Sequence, residues 1–112
     1  MFHLDQTALP IGVGKQGYLR AIPRRVKNLF GSPVHYPGDD ECLGSFVFRS
    51  EDGEVCTLYC MAYDLPESTT KKARREFWSY SGIVDLHVGA KTKQSAKRFQ
   101  SWIEVQLSGA PL

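Results

Sequence analysis

A chain of 112 residues, 42% of them hydrophobic and 23% charged, is long enough for one hydrophobic core and too short for two, and its composition argues against disorder. A formal net charge of +2 is too small for a dedicated double-stranded DNA binder. No apolar run approaches a bilayer span, and Met1-Phe2-His3-Leu4-Asp5 lacks the basic and apolar regions of a signal peptide, so a cytoplasmic protein without a membrane partner is expected.

From the start of the chain, Gly12, Gly14 and Gly17 spell G-x-G-x-x-G. The strand, helix and acidic residue that a dinucleotide fingerprint requires are missing around it, so residues 1–17 are read as an extended or flexible arm. Pro23 suits a first helical position, and Val26, Leu29 and Phe30 follow at helical spacing before Gly31 and Pro33, which predicts a short N-terminal helix. Arg24, Arg25 and Lys27 fall off that apolar stripe, facing water or an anionic partner.

A loop carrying Pro37, Gly38, Asp39 and Asp40 leads to the clearest element, a hairpin from Glu41 to Ala62. Asp52-Gly53 reads as a two-residue turn, which sets Arg49 opposite Cys56, Val47 opposite Leu58 and Phe46 opposite Tyr59. Both faces of that hairpin then carry apolar groups, one to be covered by the C-terminal helix and the other by the N-terminal part or a second subunit. Cys42, Cys56 and Cys60 are odd in number and lack zinc or disulfide spacing; they read as core residues.

Glu67 to Lys72 reads as a polar loop, and Lys71, Lys72, Arg74 and Arg75 form the densest basic cluster. Phe77, Trp78 and Tyr80 are expected in a third strand, and Ile83 to Val88 in a strand or an extended approach to the last helix. In that helix Ala96, Phe99, Trp102, Ile103 and Leu107 form the core stripe.

Metal and nucleophile chemistry find little support. His3, His35 and His87 sit in three separate segments, no G-x-S-x-G elbow is present, and neither a metal site, a cofactor nor catalytic residues are expected. The strongest ligand signal is the run from His87 to Lys93, with its small residues, hydroxyl and lysines before a helix. Two readings stay open there: an ordinary Thr92 N-cap, or an anion site. In the second, Gly89 gives close backbone approach, Lys91 and Lys93 neutralise charge, Thr92 and His87 donate, and Arg24, Arg25, Arg74 or Arg75 supply the other half of the pocket.

The segments Leu29-Phe30-Gly31-Ser32-Pro33, Asp52-Gly53-Glu54-Val55-Cys56-Thr57-Leu58-Tyr59 and Leu86-His87-Val88-Gly89 together resemble small proteins encoded by bacteriophages. In size and α+β character these are similar to counter-defence proteins that sequester nucleotide immune signals such as cyclic oligonucleotides or cyclic ADP-ribose isomers. The expectation is therefore a single α+β domain over residues 1–112. It has an antiparallel sheet of three to four strands around the central hairpin, packed with a C-terminal helix and the short N-terminal helix. A homo-oligomer in the host cytoplasm is expected to bind a phosphate-bearing nucleotide without catalysis. The alternatives are an interaction module that inhibits a host protein through the Lys71 to Arg75 face, and a single-stranded nucleic-acid binder that adds Trp78 and Tyr80 to that cluster.

Overall fold

The computed structural model describes residues 1–36, 41–66 and 69–109; the expected loop from Pro37 to Asp40, Glu67, Ser68 and the tail after Gly109 lie outside them. The fold is α+β, with five antiparallel strands rather than three or four. In chain order these are β1 (Phe2–Leu4), β2 (Gly14–Ala21), β3 (Cys42–Ser50), β4 (Val55–Met61) and β5 (Val84–Ala90), arranged across the sheet as β1-β3-β4-β5-β2. Helix α1 (Pro23–Phe30) follows β2, the one-turn helix α2 (Lys71–Arg75) lies between β4 and β5, and α3 (Lys93–Ser108) ends the fold.

The two extra strands come from the opening residues, expected as an arm. Their alternation is weak, because edge strands carry few apolar side chains; pairing with the hairpin edge and with β5 holds them instead. Phe77, Trp78 and Tyr80 depart from expectation the other way. Phe77–Ser79 is a 3-10 turn that buries Phe77 and Trp78 and leaves Tyr80 exposed. The Trp78 indole N–H donates to the Leu43 carbonyl at 2.9 Å.

The hairpin register differs by one residue from a two-residue turn. Gly53, with φ of +83°, follows Glu51 and Asp52 in a three-residue loop; its N–H donates to the Ser50 carbonyl at 3.0 Å, and the Ser50 N–H to the Glu54 carbonyl at 2.9 Å. Phe48 therefore faces Cys56, and Phe46 faces Leu58. The slip gathers the apolar side chains on one side. On that face α3 lays Phe99 and Ile103, α1 lays Val26, and all lie in one core with Leu19, Leu86 and Val88. Phe48 sits 4.9 Å from Phe30 and 5.1 Å from Phe99, ring centre to ring centre.

The second face is covered by the chain itself. β1 and β2 lie at opposite edges, so residues 5–13 must cross the sheet. They do so over Val47 and Gly89: the Gln6 side chain accepts from the Val47 N–H at 2.8 Å, and Val13 packs where a Gly89 side chain would go.

β3 is bent by an irregularity between Cys42 and Ser45, where Gly44 has φ of +131° and a Cβ would lie 2.7 Å from the Trp78 indole nitrogen and 2.8 Å from Pro33. Gly44→Ala meets both a forbidden backbone conformation and a filled space. It is expected to cost about 2 to 3 kcal/mol, read as a lower urea midpoint with an unchanged slope.

Candidate functional site

β5 pairs with β2 along its whole length, from Gly14 opposite Ala90 to Ala21 opposite Val84. Its ladder with β4 has three pairs and stops where Tyr59 faces His87. Beyond that point the two strands part, and the described residues 62–66 and 69–81 fold into the gap. The parting leaves a cleft of about 880 Å³ lined by Tyr18, Asp64, Phe77, Tyr80 and Asp85, among others.

At its head lies His87, 1% exposed. Strand alternation places it on the face opposite the helices, where three tyrosines close over it. Its ring lies 5.2 Å from Tyr18, 5.0 Å from Tyr59 and 6.3 Å from Tyr63. Its Nε2 touches the Asp64 carboxylate, which sits off the direction needed for a hydrogen bond. Asp64 thus touches the buried ring on one side and the cleft on the other. The Lys15 ammonium donates to the Tyr18 hydroxyl at 2.6 Å; that bond holds Lys15 above the usual lysine value. Burial pushes Tyr59 up, and Cys60 on the cleft wall is pushed up to about 12, chiefly by burial. Cys60 packs in the core, 2% exposed.

The cleft has a distinct charge. Asp64, Glu76 and Asp85 line it, and no lysine or arginine stands among its described lining residues. Tyr80 is 54% exposed, and Tyr18, 48% exposed, carries the Lys15 ammonium over its ring, 4.5 Å from the centroid. Cations stand outside it: Ala73 lines the cleft from α2, whose Lys71, Lys72 and Arg75 are exposed and whose Arg74 lines an adjoining hollow with Tyr63 and Leu65.

The residues singled out from the sequence fall in separate places. His87 and Gly89 lie within β5, two positions apart on the same face. The space over Gly89 is already filled, since a Cβ there would lie 2.2 Å from the Thr57 hydroxyl. Lys91, Thr92 and Lys93 stand beyond the far end of β5, with the Lys91 stem against Gly12. Arg24 and Arg25 flank the opposite end of that strand, where the Arg24 N–H donates to the Tyr80 carbonyl at 3.0 Å. Seven residues of strand, roughly 20 Å at about 3.3 Å each, separate the two groups. Arg74 and Arg75 belong to α2, at the cleft rim.

The front of α3 carries its own cap. Thr92 Oγ1 accepts from the Ser95 N–H at 3.0 Å, and the Ser95 hydroxyl donates to a Glu54 carboxylate oxygen at 2.6 Å. Arg98 pairs with the other oxygen of Glu54. A carboxylate of the hairpin thus occupies the neighbourhood where a guest anion was expected.

The cleft residues Tyr18, Asp64, Glu76 and Asp85 carry no motif in the sequence. They stand in four different elements or turns and share only polar or aromatic character, which gives no local pattern to find them by. Among the described residues no group of three or more His, Cys, Asp or Glu is placed to hold a metal ion, and no helix is long and apolar enough to cross a membrane. Comparison with protein families, curated proteins and solved structures finds no match to this chain.

The bond from Ser95, with help from Arg98, holds Glu54 below the usual glutamate value. A carboxylate depressed by folding adds stability above its unfolded value, near 4.5, and loses it as pH falls through the folded value. Glu54→Gln is expected to lower stability by about 1 kcal/mol at neutral pH. In denaturant melts across the acid range, the gap between variant and wild type should close below pH about 4.

Proposed function

We propose that this chain is a non-enzymatic binding protein for a phosphate-bearing nucleotide, held with its nucleoside in the cleft between β4 and β5 and its phosphates at the rim. The observation that carries the reading is a cleft of ligand size, about 880 Å³, furnished with two half-exposed tyrosine rings and three carboxylates. Base stacking suits Tyr18 and Tyr80, and carboxylate oxygens accept from ribose hydroxyls and exocyclic amines. Phosphates are repelled by the same carboxylates. They find Lys71, Lys72, Arg74 and Arg75 on the helix that forms one wall. This reading sets the site away from the α3 start, where Thr92 accepts from the Ser95 N–H and the Ser95 hydroxyl is bonded to Glu54. For such a binder, sequestration of a cyclic nucleotide or cyclic ADP-ribose-type signal is the role that the resemblance to small phage proteins implies.

A second reading has its own support. The four cations of α2 form no ion pair among the described residues, so this face also suits an acidic protein partner. Single-stranded nucleic acid is less favoured, because Trp78, one of the two rings expected beside the basic cluster, is buried.

Thermal-shift screening against nucleosides, mononucleotides, cyclic dinucleotides and ADP-ribose tests the reading. Nucleotides should stabilise the protein more than their nucleosides do, and salt should erode the difference. Tyr80→Ala should weaken binding about tenfold, the loss of one stacked ring. Silence from every compound overturns the nucleotide ligand, and a shift abolished by Lys91→Ala with Thr92→Ala but indifferent to Tyr80→Ala moves the site to α3.

A further inference from the structure

A second hollow, about 290 Å³, lies on the other side of the β2–β5 pair from the head of the cleft. Its walls are the end of β2 (Leu19 to Ala21), Ile22, Ile83, and the last turns of α3 at Glu104, Leu107 and Ser108, with Arg25 reaching in from the first turn of α1. Leu19, Ala21 and Leu107 are buried, and Ile83, 62% exposed, stands at its mouth.

Arg25 is the unusual member. Its Nε is shut off from solvent and has no hydrogen-bond partner, and the side chain takes part in no ion pair among the described residues. A buried guanidinium donor without an acceptor is costly, and almost all such groups in proteins are matched by an acceptor. Arg20 turns its side chain to the other face of β2, where it stands 3.9 Å from Asp85, so Arg25 and the exposed Glu104 are the charged side chains of the hollow.

We propose that this hollow is an anion site for a small carboxylate with an apolar body, its carboxylate against Arg25 and its body against Leu19, Ile83 and Leu107. The volume, at the small end for ligand pockets, limits the guest to a short aliphatic or single-ring acid. A planar carboxylate offers the two acceptors that a guanidinium edge matches. The apolar walls exclude a fully hydrated ion such as inorganic phosphate, for which they provide no second shell of donors.

The test is an amide-shift titration of the whole protein with hexanoate and benzoate, beside hexan-1-ol and inorganic phosphate. Hexanoate or benzoate should shift the amides of Leu19 to Ile22, Arg25 and Leu107 saturably at millimolar concentration, while hexan-1-ol and phosphate leave them in place. Arg25→Gln should weaken the carboxylate at least about tenfold, and Glu104→Gln, which removes the competing charge from an exposed position, should strengthen it a few fold. Absence of a saturable shift in wild type overturns the proposal. So does equal binding of hexan-1-ol, or an affinity unchanged by both variants. The nucleotide reading stands or falls separately, because its cleft residues Tyr18 and Tyr80 are not touched here.

Discussion

The pairing of Phe48 with Cys56 and of Phe46 with Leu58 is the constraint on which the molecule depends. Side chains alternate along a strand, so a shift of one residue in this hairpin would send Leu58, Cys56 and Cys60 to one face while Phe46 and Phe48 stayed on the other. Neither face could then be covered by a single amphipathic helix. With the register set by the three-residue loop ending at Gly53, all five point the same way, and the Phe99 to Leu107 stripe of α3 meets them together. Each aromatic contact of Phe48 contributes on the order of 1 kcal/mol beyond its burial. Their value comes from lying on a common face.

Once the helices take one face, the other is left to smaller devices. Residues 5–13 cover its far end over Val47 and Gly89, and three tyrosines cover His87 at the near end. The same division explains the cleft. β5 leaves β4 after the Tyr59–His87 pair but stays with β2, so a gap opens inside the sheet rather than at its edge. The insertion between β4 and β5 fills it incompletely, being anchored by Phe77 and Trp78 in the core and by Asp64 at His87. A parted pair of strands is a natural place for a ligand, because the backbone there is fixed by the rest of the sheet while its surroundings are open.

Charge is sorted over this framework. Carboxylates gather in the cleft, the four cations of α2 stand on its rim, and Arg25 reaches into a separate, largely apolar hollow. Glu54 is held at the front of α3, where it joins the hairpin turn to the helix through Ser95 and Arg98. The edge strand β2 is likewise restrained, since the Gln100 side chain donates to the Tyr18 carbonyl at 2.6 Å. A bonded edge carbonyl is one acceptor fewer for a stray strand.

The sequence by itself determined the elements whose cause is local. Period-3.6 spacing of Ala96, Phe99, Ile103 and Leu107 specifies α3, Thr92 specifies its start, and β-rich runs around Asp52-Gly53 specify a hairpin, because backbone dihedrals and side-chain spacing act over a few residues. What depends on distant partners only the tertiary structure decided. The opening residues became strands because two sheet edges were available, Phe77 and Trp78 became a buried turn because Leu43 offered a carbonyl, and the register followed from the loop and the shared cover. The His87 to Lys93 run showed that the region was special without showing why. Its anion-binding expectation was drawn from neighbours in sequence, whereas the burial of His87 by Tyr18, Tyr59 and Asp64 and the bond of Ser95 to Glu54 come from residues as far as 69 positions away, and no local pattern encodes that convergence.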